Sequence, residues 1–364
     1  MHGQLSMKMR CLRPSSRRRC PLLGGDTAAF CASLVEGLAH LESTLEVDDH
    51  GGGGVGSGSV SMRWCADAMR LVKRMQREML AIFRKADVPV AVVSSCGGGG
   101  AGGAGDWFEH YMQETAALLD FCNAFKAAVS RMHRYCMVVD FAAQVSHAAG
   151  GDGATAASLV VESAAGGPCA AEPAGQLASS ADAVRDKVVD VKAAVAEAER
   201  LGRTIVSSAG EDAGGGMVVV TLVAKITTSI LSIFVLQALT SPGSLDAGGG
   251  VDPTLASAVD VPELEPWCEL LSLIHARFPN RATVAEHEKV ATVVRELING
   301  KTSSGGHGGQ EEVLARGHVE LLRARSGELR EGVEMFDCVL DEVFDEVIRG
   351  RNEMLGILRD KALT

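Results

Sequence analysis

The sequence predicts an all-α fold: an elongated helical bundle whose long, coiled-coil-like helices are joined by disordered Gly/Ala-rich linkers. Three observations predict it. From Phe108 the apolar residues return in steps of three and four through Tyr111, Thr115, Leu118, Cys122, Phe125, Val129, Met132, Cys136 and Val139. A second such seam closes the chain, through Leu329, Val333, Phe336, Leu340, Val343 and Val347 to Met354 and Ile357, with Gly350 as its one gap. A 3-4 repeat held this long marks a helix that buries one edge against other helices. Third, no run alternates with period two, so no sheet is expected, and the valines at 218–220 are the only local argument for a strand.

Each element then follows in order. Residues 1–25 form a basic tail, with no acid before Asp26. Its Arg and Ser content suits an organellar targeting peptide, but no amphipathic period runs through Arg10–Arg19, and the segment reads as a disordered tail. It has no apolar core of a secretory signal, and the chain has no Asn-x-Ser/Thr sequon; the expected location is intracellular, cytoplasmic or membrane-associated.

Residues 26–364 read as one all-helical domain with flexible insertions at about 46–60, 94–105, 148–178, 209–216, 241–260 and 301–309. A helix over Thr27–Leu45 is capped by Asp26 or Thr27. Ser61–Ala86 follows, with Cys65, Met69, Val72, Met75, Met79 and Ile82 on one face, and Pro89 ends it. The long helix Asp106–His147 opens at Asp106, and its first 36 residues span roughly 50 Å. Ser179 or Ser180 opens another, seamed by Val184, Val188, Val191 and Val195. Glu263–Ala276 and Thr283–Ile298 form a helical pair parted by Phe278-Pro279-Asn280, Gln310–Arg325 is a weaker helix, and Glu328–Leu363 is the last.

The apolar stretch Met217–Thr240 admits two readings. It is long enough to cross a bilayer, for which about 20 residues suffice. Its thirteen Val, Ile, Leu and Phe residues favour insertion, while Lys225 and the Thr and Ser residues oppose it. The polar residues Thr221, Lys225, Thr228 and Ser232 fall on one narrow stripe. A buried bundle helix would turn that stripe to water or to a partner carboxylate, and a membrane span would use it for helix association.

Chemistry is sparse. The formal charge of −11 argues against nucleic acid as a partner, because phosphate binding needs a cationic face. None of the ten cysteines forms a C-x-x-C pair, so zinc and redox motifs are absent, and Cys65, Cys122 and Cys136 fall on apolar faces as small hydrophobes. The glycine runs near 51–58 and 97–105 lack the strand before and helix after that a phosphate loop requires. Asn299-Gly300-Lys301-Thr302 resembles the end of a Walker A loop, but Arg295 stands where its first glycine belongs. His110 and Glu114 share one side of the long helix without a third ligand, and Glu286-His287-Glu288 reads as a solvent-facing run. The acids Asp341, Glu342, Asp345 and Glu346 are complemented by the opposite charges of Lys73, Arg74, Arg77, Arg84 and Lys85 within the same bundle. No residue is named as catalytic, cofactor-binding or metal-ligating, and no cofactor is expected.

At Leu118–Phe125, LLDFCNAF, the chain resembles the plant BYPASS-like family, which groups with exocyst-interacting proteins of similar architecture. Ser59–Met69 (SVSMRWCADAM), Asp87-Val88-Pro89-Val90, Glu265-Pro266-Trp267 and the pattern FDCVLDEVFDEVIRGRNEML in the last helix agree in order. The likeness spans roughly residues 27–364 with gaps; the long Gly/Ala insertions and the N-terminus depart from the family. The resemblance implies a non-enzymatic regulatory protein acting through helical protein–protein contacts in growth or development signalling. The alternative is a membrane-anchored scaffold in secretion, held through 217–240, with exocyst-type components as partners.

Overall fold

The computed structural model describes residues 25–45, 59–85, 106–148, 213–240, 264–278, 283–302 and 308–362. The basic tail, the helix expected after Ser179 and most of the expected linkers lie outside the described residues. The described residues form α1 (Gly25–Thr44), α2 (Met62–Lys85), α3 (Asp106–Ala148), α4 (Ala213–Leu239), α5 (Glu265–Arg277), α6 (Ala285–Thr302) and α7 (Gly308–Ala362). The all-α class therefore holds.

The two seams run where the 3-4 spacing puts them. Tyr111, Leu118, Phe125, Val129 and Val139 of α3 are buried, as are Leu329, Val333, Phe336, Leu340, Val343 and Val347 of α7. They meet in an antiparallel pair. Lys126 reaches Asp337 at 2.5 Å, Arg351 donates to the Thr115 hydroxyl at 2.7 Å, and Ser326 donates to Asp140 at 2.7 Å. On the other side of α7, α2 lies parallel. Lys73 pairs with Glu342 at 2.7 Å and Arg77 with Glu346 at 3.1 Å, and Arg84 pairs with Glu353. These three pairs share one sequence separation, 269, which only a parallel, in-register pair of helices can keep up over three turns.

Helix α4 packs against α2 and α3, and α1 lies across α2, α4 and α5. Aromatic rings mark the junctions. Phe125 meets Phe336 edge-on at 6.0 Å, and Phe234 of α4 stacks on Phe278 at 4.5 Å. Both fully described tryptophan donors are satisfied: Trp64 Nε1 donates to the Leu41 carbonyl at 3.1 Å and Trp267 Nε1 to the Thr227 hydroxyl at 2.9 Å. Burying an indole without such a partner would cost the desolvation of its N–H.

Several boundaries move. A sheet was not expected, yet Ser59–Val60 and Thr283–Val284 (β1 and β2) pair in parallel, at the edge of the expected 46–60 insertion and at the start of an expected helix. Two residues are too short to show alternation. What makes them a pair is that each runs straight into a helix, so α2 and α6 begin side by side, with Glu286 accepting the Met62 N–H at 3.1 Å. Ser61 caps α2, its hydroxyl accepting from the Trp64 N–H at 3.1 Å. The insertion expected at 209–216 gives up residues 213–216 to α4. That expected at 301–309 gives up 301–302 to α6 and 308–309 to α7. The weaker helix expected after Gln310 and the strong one from Glu328 are a single helix of 55 residues, roughly 80 Å long. The gap at Gly350 is a packing device: a Cβ there would stand 2.6 Å from the Tyr111 hydroxyl.

Candidate functional site

Two features of the bundle carry side chains beyond core packing. The first is a polar cluster buried where α2, α3 and α4 meet. Glu114 of α3 is sealed from solvent, and Gln76 of α2 donates its amide to the Glu114 carboxylate at 2.6 Å. From α4 come Thr228 and Ser232, both buried, with the half-buried Lys225 one turn earlier. The polar stripe of α4 thus faces a carboxylate inside the protein, one of the two orientations a bundle helix allows, and the water-facing orientation does not occur. Burial pushes Glu114 up to about 7. The Gln76 amide, the Thr228 hydroxyl and the Lys225 ammonium each oppose that rise without cancelling it. Thr228 stands close enough to favour the charged form, yet no hydrogen bond of ordinary geometry closes between its Oγ1 and any described residue. The second carboxylate oxygen, Glu114 Oε2, is buried without a hydrogen-bond partner among the described residues, as is Ser232 Oγ. A carboxyl protonated near neutral pH suits such a place, because the acid form costs far less to bury than the anion.

Sequence reasoning placed Glu114 beside His110 as a thin metal pair and missed its role. Among the described residues no three His, Cys, Asp or Glu side chains gather as a metal site would require. The signal that could have found the cluster was Gln76, a polar residue wedged against Met75 and Met79 in the α2 seam.

The second feature is the charged shell of α7. Glu342 and Glu346 are taken up by Lys73 and Arg77 of α2, as the opposite charges suggested. The remaining charges of the two groups pair elsewhere in the bundle. Asp341 goes to Lys126 of α3 at 2.7 Å, Lys85 goes to Asp26 of α1 at 2.9 Å, and Arg74 donates to the Ser33 carbonyl at 3.0 Å. Asp345 makes no ion pair among the described residues.

Of the run Glu286-His287-Glu288, expected to face solvent, Glu286 and His287 are instead tied into the fold, while Glu288 turns outward to Arg295 of its own helix at 2.7 Å. Glu286 accepts from the start of α2, and the His287 ring lies 4.9 Å from that of Tyr135, where burial lowers its pKa. A helix start wedged between two neighbours has little solvent-facing surface, which charge counting alone cannot detect. The cysteines behave as hydrophobes. Cys31, Cys65, Cys122, Cys136 and Cys268 are buried, and burial pushes the Cys122 thiol up to about 12 and those of Cys31, Cys136 and Cys268 to about 11. Such thiols carry almost no thiolate at neutral pH. Cys338 on α7 is exposed.

Large apolar side chains also reach the outer faces of the two longest helices. On α3 these are Met137 and Phe141, 66% and 55% exposed; on α7 they include Phe344, Ile348 and Leu355 at 39%, 37% and 48%. No family model matches the chain, and no curated protein or solved structure matches it.

Proposed function

We propose that this chain is a non-enzymatic regulatory protein that works by helical protein–protein contact, in growth or development signalling of the plant BYPASS-like type. One observation carries the reading. Met137 and Phe141 sit one turn apart on the outside of α3, and Phe344 and Ile348 one turn apart on the outside of α7. Apolar steps at that spacing are what a partner helix packs on. The polar groups that could have served catalysis are spent inside the bundle: Glu114 on Gln76, Glu286 on the start of α2, and the acids of α7 largely on α2 and α3. Exocyst-type secretion components are the partner class the resemblance suggests, and nucleic acid is disfavoured by the charge.

Proximity labelling from the tagged chain tests this, with a Met137→Asp/Phe141→Asp/Phe344→Asp/Ile348→Asp variant beside the unaltered protein. A defined set of labelled proteins that disappears with the variant, while its helical content and melting temperature hold, supports the reading. Identical labelling by both chains removes it.

The membrane-anchored scaffold is the second reading. Its support is Val219–Leu239, 21 residues long and apolar enough to cross a bilayer. Against it stands the burial inside the bundle of 89% of an 18-residue apolar window within that stretch. A core helix and a membrane span need the same composition, and the contacts with α2 and α3 favour the core. Carbonate extraction separates the two: recovery of the chain in the soluble fraction ends the anchor.

A further inference from the structure

We propose that the basic segment ahead of α1, residues 1–24, docks on the outer face of α7 between Glu331 and Ile348, so that the chain covers acids that no described cation pairs with.

The face is defined by spacing and by what it lacks. Glu331, Glu334, Cys338, Asp341, Asp345 and Ile348 follow one another in steps of three and four, and all are exposed. On the flank towards α2, Glu342, Glu346 and Glu353 are neutralised by Lys73, Arg77 and Arg84. On the outer face, among the described residues, Asp341 alone has such a partner, Lys126. Glu331, Glu334 and Asp345 make no ion pair among the described residues. Further along the same face Arg359 turns the charge positive, so the acidic strip ends near Asp345.

The occupant is complementary. Lys8, Arg10, Arg13, Arg17, Arg18 and Arg19 are its cations, no acid precedes Asp26, and Met7, Met9 and Leu12 lie among the first three.

The tether sets how far the segment reaches. Asp26 is held by Lys85 at 2.9 Å, and the neighbouring Arg84 is paired with Glu353 of α7. The start of α1 is therefore tied to the end of α2 that also holds Glu353 of α7. Along the α7 axis, Asp345 lies about 12 Å and Glu331 about 33 Å from Glu353. An extended chain reaches roughly 20–28 Å from Gly25 to Arg19–Arg17 and roughly 40–60 Å to Arg13–Lys8. The arginine triplet thus reaches Asp345, and the earlier cations reach Glu334 and Glu331.

Cys338 lies on the strip and reports on the contact, because the other described thiols are buried and the segment carries Cys11 and Cys20. The full-length chain is treated with a short bis-maleimide at low ionic strength and the linked peptides are identified. The expected result is a Cys338–Cys11 or Cys338–Cys20 link within one chain. It should fall several-fold in about 0.5 M salt, where exposed charges are screened over a few Å, and fall equally in Arg17→Glu/Arg18→Glu/Arg19→Glu. That variant leaves the bundle untouched, so misfolding does not confound it. Glu331→Lys/Glu334→Lys/Asp345→Lys gives the reciprocal loss. The proposal is overturned if Cys338 takes a monofunctional maleimide but links to neither tail cysteine. A link that survives the arginine reversal, or one that joins two chains and so makes a second copy the occupant, also overturns it. The contact does not rest on the proposed function, since the crosslink reads the chain against itself.

Discussion

Two residues show how a single side chain is judged by what surrounds it. Gly327 and Gly332 both lie inside α7, where glycine costs about 1 kcal/mol relative to alanine. A Cβ at Gly327 meets nothing within 4 Å, whereas one at Gly332 would stand 2.9 Å from the Met62 Cβ. That atom cannot yield without moving the start of α2. Gly327→Ala should raise stability by about 0.5–1 kcal/mol, and Gly332→Ala should lower it by about 1–3 kcal/mol, both read from denaturant midpoints. Glu114 makes the same point through charge. Its folded pKa of about 7 exceeds the ordinary 4.5, so the folded state holds its proton more tightly than the unfolded chain. The stability this confers is full below about 4.5, declines as pH rises to about 7 and is flat above. Glu114→Gln, which keeps an acceptor for Gln76, should remove that decline. The variant should gain up to about 3 kcal/mol over the parent at pH 8 and nothing at pH 4, and equal slopes in the two proteins would refute this. Gln76 and Glu114 were legible as polar residues on seamed helices. Their meeting was not, because it depends on which helices become neighbours.

At the scale of elements, α4 is the helix whose environment composition cannot settle. Its thirteen large apolar residues satisfy lipid and protein core equally well. The stripe Thr221, Lys225, Thr228 and Ser232 is more informative, since three of its four side chains are buried and it faces Glu114. Thr221 donates to the Met217 carbonyl of its own helix at 2.8 Å, which lets a hydroxyl be buried without an outside partner. Amide exchange in detergent-free buffer should find α4 as slow as α2 and the α7 core. Fast exchange along α4 would mean that the helix is not docked in solution. The ion pairs between α2 and α7 are mostly solvent-exposed and set register more than they add stability. The stabilisation comes from the apolar seams of the two helices, where Met69, Val72, Met75 and Met79 of α2 and Val339, Leu340, Val343 and Val347 of α7 are all buried.

For the whole molecule, the governing fact is that α7 closes on both α2 and α3, one parallel and one antiparallel. Parallel pairing across a separation of 269 residues means that the N-terminal third waits for the last helix before its seam is covered. Removing residues 328–364 should abolish cooperative thermal unfolding and expose the α2 and α3 seams to a hydrophobic dye. Retention of a sharp transition would show that the first four helices form a core without α7. Helix formation by itself does not decide this outcome, because most helical stability in proteins comes from packing of the apolar face.

The amino-acid order by itself determined that the protein is helical, where the two longest helices lie and which edge of each is buried, because a 3-4 apolar repeat is written locally. It also marked Gly350 as a break in the α7 seam. Tertiary structure alone decided that Tyr111 fills that break, that Glu286 ties α6 to α2 through a two-residue strand pair, and that the α4 stripe faces Glu114. Each of these is a meeting of residues far apart in the chain. Periodicity records which face turns inward, and only packing decides what it meets there.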